Sequence, residues 1–205
     1  MVGNQTLDAT VDLRAIRNFT QEMNFYHGVV SWGYIWSPKY MNVELDLSWV
    51  TLVSREKPNV AATSLEVTPR GRDINVTIID LLDGRSAVRS FLGKKGISND
   101  TNSIFVSNHP VGLPNVTVWT VSTANVSNGY TDESSRRSIF LNNSTIKVGQ
   151  KWNARLINNQ PAVFHKFIGI ASSDYFPNPK LVATQASRNA SEDRWNSIYT
   201  GHTKA

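Results

Sequence analysis

The sequence predicts an all-β protein, an antiparallel β-sandwich with a short C-terminal helical segment. Two patterns predict it. Apolar and polar residues alternate with a period of two in successive runs, and short polar turns punctuate those runs where a βα protein would place long helical repeats. Size agrees, because 205 residues with 40% hydrophobic and 18% charged content bury one substantial core, and sandwiches of this length stand as one domain.

Taken in chain order, Asp8 to Glu22 reads as a short helix ahead of the first strand. Strands are expected at Val29 to Ile35, Val43 to Ser54 and Ala61 to Pro69. From Ile74 to Asp80 the alternation is clear: Ile74, Val76 and Ile78 face one way, Asn75 and Thr77 the other, so one face is core and one is wet. Asn115 to Val121 repeats the arrangement, with Val116 and Val118 opposite Asn115 and Thr117. Further strands follow at Arg137 to Leu141, Lys151 to Ile157 and Ala162 to Ser172. Turn chemistry lies at Asp83-Gly84, Gly93 to Gly96, Asn128-Gly129 and Val148-Gly149. Residues Pro179 to Ile198 then carry Leu181, Val182, Ala186, Ala190 and Trp195 with few breakers, and Asn178 or Pro179 starts a helix there. The expected organisation is a sandwich over 1–178 and a helical segment over 179–205.

Nine asparagines, Asn4, Asn18, Asn75, Asn99, Asn115, Asn125, Asn142, Asn143 and Asn189, each begin an Asn-x-Ser/Thr acceptor tripeptide. With 20 Asn and 37 Ser plus Thr in the chain, chance places roughly 4 such tripeptides. The twofold excess makes them glycosylation candidates and points to a secreted glycoprotein; an Asn-, Ser- and Thr-rich surface generating matches is the competing account. Met1 to Asn4 opens directly into polar sequence without a secretory leader, so an exported protein would have its native N-terminus elsewhere.

Composition removes several function classes. There is no cysteine, which removes disulfides, thiolate chemistry and the usual zinc clusters. The net charge of +5 is scattered as Arg14 and Arg17, Arg70 and Arg72, Lys94 and Lys95, Arg136 and Arg137. Asp80, Asp83, Asp132 and Glu133 interrupt it, so no nucleic-acid partner is expected. No apolar run approaches the about 20 residues that cross a bilayer, and no membrane partner is expected either.

Candidate chemistry is sparse. Trp32, Tyr34 and Trp36 alternate along one strand and would face the same way. Such a row stacks on sugar rings, making Trp32 and Trp36 carbohydrate-contact candidates, but large aromatics more often fill a core. Asp80 and Asp83 in Asp-Leu-Leu-Asp-Gly-Arg have the residue types of a glycosidic acid and base pair; the Asp-Gly step reads better as a turn, with Arg85 as a local ion-pair partner. His27, His109, His165 and His202 lack metal-ligand spacing. No phosphate loop, nucleophile elbow or dinucleotide fingerprint is present, so neither a cofactor nor a metal is expected, and no catalytic residue is assigned.

Ser54 to Pro69, Ile74 to Ser90 with its Asp-Gly-Arg-Ser-Ala-Val-Arg stretch, Ser135-Arg136-Arg137, His165 to Pro179 and the tail ending at His202-Thr203-Lys204 together resemble the N-terminal domain of glycoside hydrolase family 65. The resemblance covers most of the chain from about Asn18 onward, and within the family it is most similar to fungal acid trehalases. It implies a large sandwich of the family's supersandwich type, truncated here at its N-terminus, followed by a helical linker and an (α/α)₆ barrel that this chain lacks. The barrel carries the catalytic acid and base of the parent enzyme, which hydrolyses α,α-trehalose to two glucoses with inversion. The implied role is therefore noncatalytic support of the barrel and its substrate pocket, in a protein that is secreted or extracellular, in the cell wall or vacuolar. Implied partners are the catalytic barrel, in the same precursor or as a separate chain, and trehalose through the parent enzyme. A stand-alone carbohydrate-binding module and a self-associating homo-oligomer are the alternatives.

Overall fold

A computed structural model describes residues 1–84, 89–98, 103–126, 130–140 and 147–205. Eleven strands and one helix build it: β1 Ile16–Asn24, β2 Val29–Trp36, β3 Glu44–Val53, β4 Val60–Arg70, β5 Ile74–Asp83, β6 Ser90–Ser98, β7 Ser103–Pro110, β8 Val118–Asn125, β9 Thr131–Ile139, β10 Lys147–Leu156, β11 Ala162–Ser172 and α1 Pro179–Lys204. An eight-stranded antiparallel sheet in the order β1-β2-β3-β4-β11-β8-β7-β6 faces a three-stranded sheet in the order β5-β10-β9. This is the antiparallel sandwich that the alternation predicts.

Pleat parity explains what lies between the sheets. Trp36 is opposite Leu45, Leu45 opposite Pro69 and Leu47 opposite Val67, so one face of the large sheet presents a continuous apolar surface. Ile74 and Val76 of β5, with Trp152, Ala154 and Leu156 of β10, close onto it in one buried cluster, and Val2 joins them from the N-terminal segment. The opposite face of the large sheet is also apolar, at Leu52, Val60, Ala62 and Phe167, and α1 covers it with Ala190 and Ile198. Contact there is close: a Cβ on Gly169 would lie 2.0 Å from the Ala183 carbonyl oxygen, so only glycine admits the helix backbone. Ser187 adds a polar seam, donating to the Phe167 carbonyl at 3.1 Å and sharing a 2.6 Å hydrogen bond with Thr123.

The helix runs to Lys204 and is broken at Arg194, where φ is 66° and ψ is 164°. Its second half ends at His202, 1% exposed. His202 Nδ1 accepts the Arg55 backbone N–H at 3.1 Å and Nε2 lies 3.0 Å from the Gly28 carbonyl oxygen. That geometry makes Nε2 the protonated nitrogen and ties the helix end to the β1–β2 and β3–β4 turns.

Four expectations are corrected. Asp8 to Glu22 is not helical: a single 3₁₀ turn at Leu13–Ala15, capped by the Asp12 side chain, leads into β1. Asn115 lies in a turn closed by Val116 N–H to Leu113 O, and the strand begins at Val118. Gly93 to Gly96 lies inside β6, which bulges between Leu92 and Lys95, and Val148-Gly149 lies inside β10. The Asn128-Gly129 turn, Arg85 and Leu141 lie outside the described residues.

Candidate functional site

Among the described residues, two of the places where side chains from separate elements meet hold the candidate residues. The first is a buried polar node between the sheets. Asp80 shares the inward parity of Ile74 and Val76, so β5 drives a carboxylate into the core, where it is 5% exposed. A buried carboxylate needs partners, and three strands supply them directly. Lys166 of β11 reaches Asp80 Oδ1 at 2.8 Å and also donates to the Leu81 carbonyl at 2.8 Å. The Ser122 hydroxyl of β8 donates to the carboxylate at 3.0 Å, and Gln150 Nε2 of β10 donates to Oδ2 at 3.0 Å. The Gln150 carbonyl in turn accepts from Arg136 of β9 at 2.6 and 3.0 Å, and the Arg136 guanidinium lies 6.0 Å over the Trp152 ring. Burial lowers the Arg136 pKa, with Glu133 and Asp80 acting in the opposite sense.

The node joins both sheets, but it is not an acid and base pair. Asp80 and Asp83 have opposite parity on β5. Asp83 faces away from the core and lies 3.6 Å from Lys147. Two carboxylates on opposite faces of one strand do not flank a common bond; Asp83 pairs with Lys147 of β10, and the expected partner Arg85 lies outside the described residues.

The second place is an open groove of about 440 Å³, in the range of small-ligand sites. It lies at the β1–β2 edge of the large sheet, on the inner face, where the small sheet no longer covers it. Phe19, Trp32 and Tyr34 form its floor, and Leu7, Val11 and Leu13 its rim. Trp32 stacks on Trp49 across the strands at 6.1 Å and 14°, and Phe19 on Tyr34 at 6.1 Å and 24°. Trp49 Nε1 donates to the Tyr34 hydroxyl at 3.1 Å, leaving that O–H as a donor. Asp8 lines the groove too, and hydrogen bonds from the Thr10 hydroxyl and backbone N–H hold its pKa below the ordinary value. Of the two carbohydrate-contact candidates, Trp32 is half-buried in this groove, while Trp36 is packed into the core at 2% exposure.

The acceptor asparagines are distributed over the outside. Asn4, Asn18, Asn75, Asn115 and Asn189 are exposed and Asn125 is half-buried; Asn99, Asn142 and Asn143 lie outside the described residues. The four histidines are dispersed, and among the described residues no cluster of His, Asp and Glu is placed to hold a metal. His165 stacks on Trp195 at 5.6 Å and 5°, and burial lowers its pKa from the ordinary 6.5. Between the unfolded and the folded value the unfolded chain binds more protons, so this residue makes stability fall as pH drops through 6.5 until the lower folded pKa is reached. Replacing His165 with Phe is expected to flatten that part of the stability-versus-pH curve, measured by urea unfolding at successive pH values.

Along its whole length, residues 1–205, the chain matches the glycosyl hydrolase family 65 N-terminal domain. It belongs to that family. Among curated relatives it is 35% identical over 189 residues to the cell wall acid trehalase of Arthroderma benhamiae, covering 90% of this chain and 18% of that protein. It is 29% identical over 203 residues to the acid trehalase of Emericella nidulans, covering 97% and 19%. Among solved structures, a putative kojibiose phosphorylase from the human microbiome superposes with a TM-score of 0.73 at 16% identity, over 92% of this chain and 24% of that one. The likeness to the phosphorylase confirms the fold of this family 65 domain. The domain spans less than a fifth of the trehalases it matches. No described helix is long and apolar enough to cross a membrane.

Proposed function

We propose that this family 65 domain is the noncatalytic sandwich portion of a secreted fungal acid trehalase. The whole protein would hydrolyse α,α-trehalose to two glucoses with inversion, and a helical barrel outside these residues would carry the catalytic acid and base. The observation that carries the proposal is the fate of Asp80: the buried carboxylate is consumed by Lys166, Ser122 and Gln150, which leaves it bracing the two sheets. Identity to acid trehalases supports the parent activity, and the cell-wall name of one relative supports the secretory route, as does the sequon excess. In this reading residues 1–178 form the sandwich and 179–205 a strut that leads towards the barrel while remaining clamped to the sheet. Phe25, Tyr26 and Val53, 79%, 83% and 64% exposed at the end of the sandwich where the strut finishes, are an apolar surface suited to receive it.

The test compares trehalose turnover by the full-length secreted enzyme and by residues 1–205 alone, folding of the latter being checked by its near-ultraviolet circular dichroism. The folded domain is expected to show no turnover above background. Turnover comparable with the full-length enzyme would overturn the proposal.

A further inference from the structure

The edge strand β1 is unusually exposed for a strand carrying apolar residues. From Arg17 to Met23 every residue is exposed, with Phe19 at 60% and Met23 at 55%, and its free edge is one end of the eight-stranded sheet. Such an edge invites pairing with other chains unless something blocks it. Its register is broken between Arg17 and Thr20, where Asn18 takes a left-handed backbone at φ 53°. That conformation is one Asn tolerates better than most side chains.

Asn18-Phe19-Thr20 is also an acceptor tripeptide. Among the described acceptors Asn18 is set apart by its neighbour, since Phe19 is an exposed aromatic lining the groove with Trp32 and Tyr34, whereas Val76, Val126 and Ala190, which follow Asn75, Asn125 and Asn189, are buried. A pyranose has an apolar C–H face that packs on the electron-rich face of an aromatic ring, and a groove of about 440 Å³ has room for more than one such ring.

We propose that Asn18 carries an N-linked glycan whose first sugars lie over Phe19 and into the Trp32 groove, so that the occupant of the groove is the protein's own modification. The attachment needs a lipid-pyrophosphate-linked oligosaccharide: Asn18 Nδ2 forms the bond to C1 of the first sugar, the C1–O bond to pyrophosphate breaks, the lipid pyrophosphate departs, and the amide nitrogen gives up one proton. Glycan at this bulge covers the apolar rim and blocks the free edge of β1 with one device. The proposal rests on the secretory route of the proposed function and is independent of where catalysis occurs.

The experiment uses the full-length protein secreted from a fungal host. Glycopeptide mass spectrometry reads occupancy at Asn18, and hydroxyl-radical footprinting reads access to Phe19 and Trp32, with the exposed Phe91 and Tyr175 as internal references. Asn18→Gly removes the acceptor yet suits the left-handed bulge, so it preserves the fold; Thr20→Ala removes the acceptor by a second route, and Thr20→Ser retains it. The expected result is an occupied Asn18, with labelling of Phe19 and Trp32 rising several-fold in Asn18→Gly and Thr20→Ala but not in Thr20→Ser. An unmodified Asn18, or equal labelling with and without the glycan, would overturn the proposal.

Discussion

Lys166→Met is expected to destabilise the domain by about 3–5 kcal/mol, because it strips the cation from a carboxylate that stays buried. The Asp80 side chain is 4% exposed and that of Lys166 25%, so the carboxylate cannot turn to water when its partner is lost. Ser122 and Gln150 continue to donate to it, but two neutral donors do not replace a charge. The double variant Asp80→Leu with Lys166→Met removes both charges and is expected to recover part of the loss, since exchanging a whole buried pair for apolar groups is often near neutral. Urea unfolding of the two single variants and the double variant gives the coupling energy directly. A loss below about 1 kcal/mol in Lys166→Met would place the pair in the class of screened surface bridges.

His202→Ala should cost about 3–4 kcal/mol, from the cavity and from two backbone groups left unpaired. The imidazole is 1% exposed and links Arg55 N–H to Gly28 O, groups far apart in sequence. Its removal acts mainly on the helix beyond Arg194, where the backbone is already broken. Hydrogen exchange should therefore speed up over 195–204 before it does over 179–193, where the close Gly169 contact and the Ser187 seam hold the first half. Uniform acceleration along α1 would mean that the two halves unfold as one unit.

How much of this was legible in the sequence follows from parity. The strand at Ile74 was readable because its alternation is unbroken, and the same alternation put Asp80 on the core side. A carboxylate at a core position demands partners from outside its own strand, which was the signal for the polar node. Its members Ser122, Arg136, Gln150 and Lys166 are distributed over β8, β9, β10 and β11 and carry no local spacing, so the partners themselves were not readable. The sequence of β1 mimics a helix because the bulge at Asn18 shifts the period of two partway along and leaves a pattern like an amphipathic turn. Gly93 and Gly96 suggest a turn in sequence, yet both lie within β6, where Gly96 pairs with Phe105 and a Cβ would meet that ring at 2.9 Å; close cross-strand approach, not reversal, suits glycine there. The groove combines β1 and β2 with the 7–13 segment, and only the fold brings these together.

In the proposed function these residues brace a catalytic protein without performing its chemistry. Asp80→Asn in the full-length enzyme tests it most directly, with the catalytic constant for trehalose measured well below the unfolding temperature. The expected result is a lowered unfolding midpoint with the catalytic constant unchanged within about threefold. A fall of about 10²–10⁴-fold in the folded variant, the loss that follows removal of a general acid or base, would contradict it.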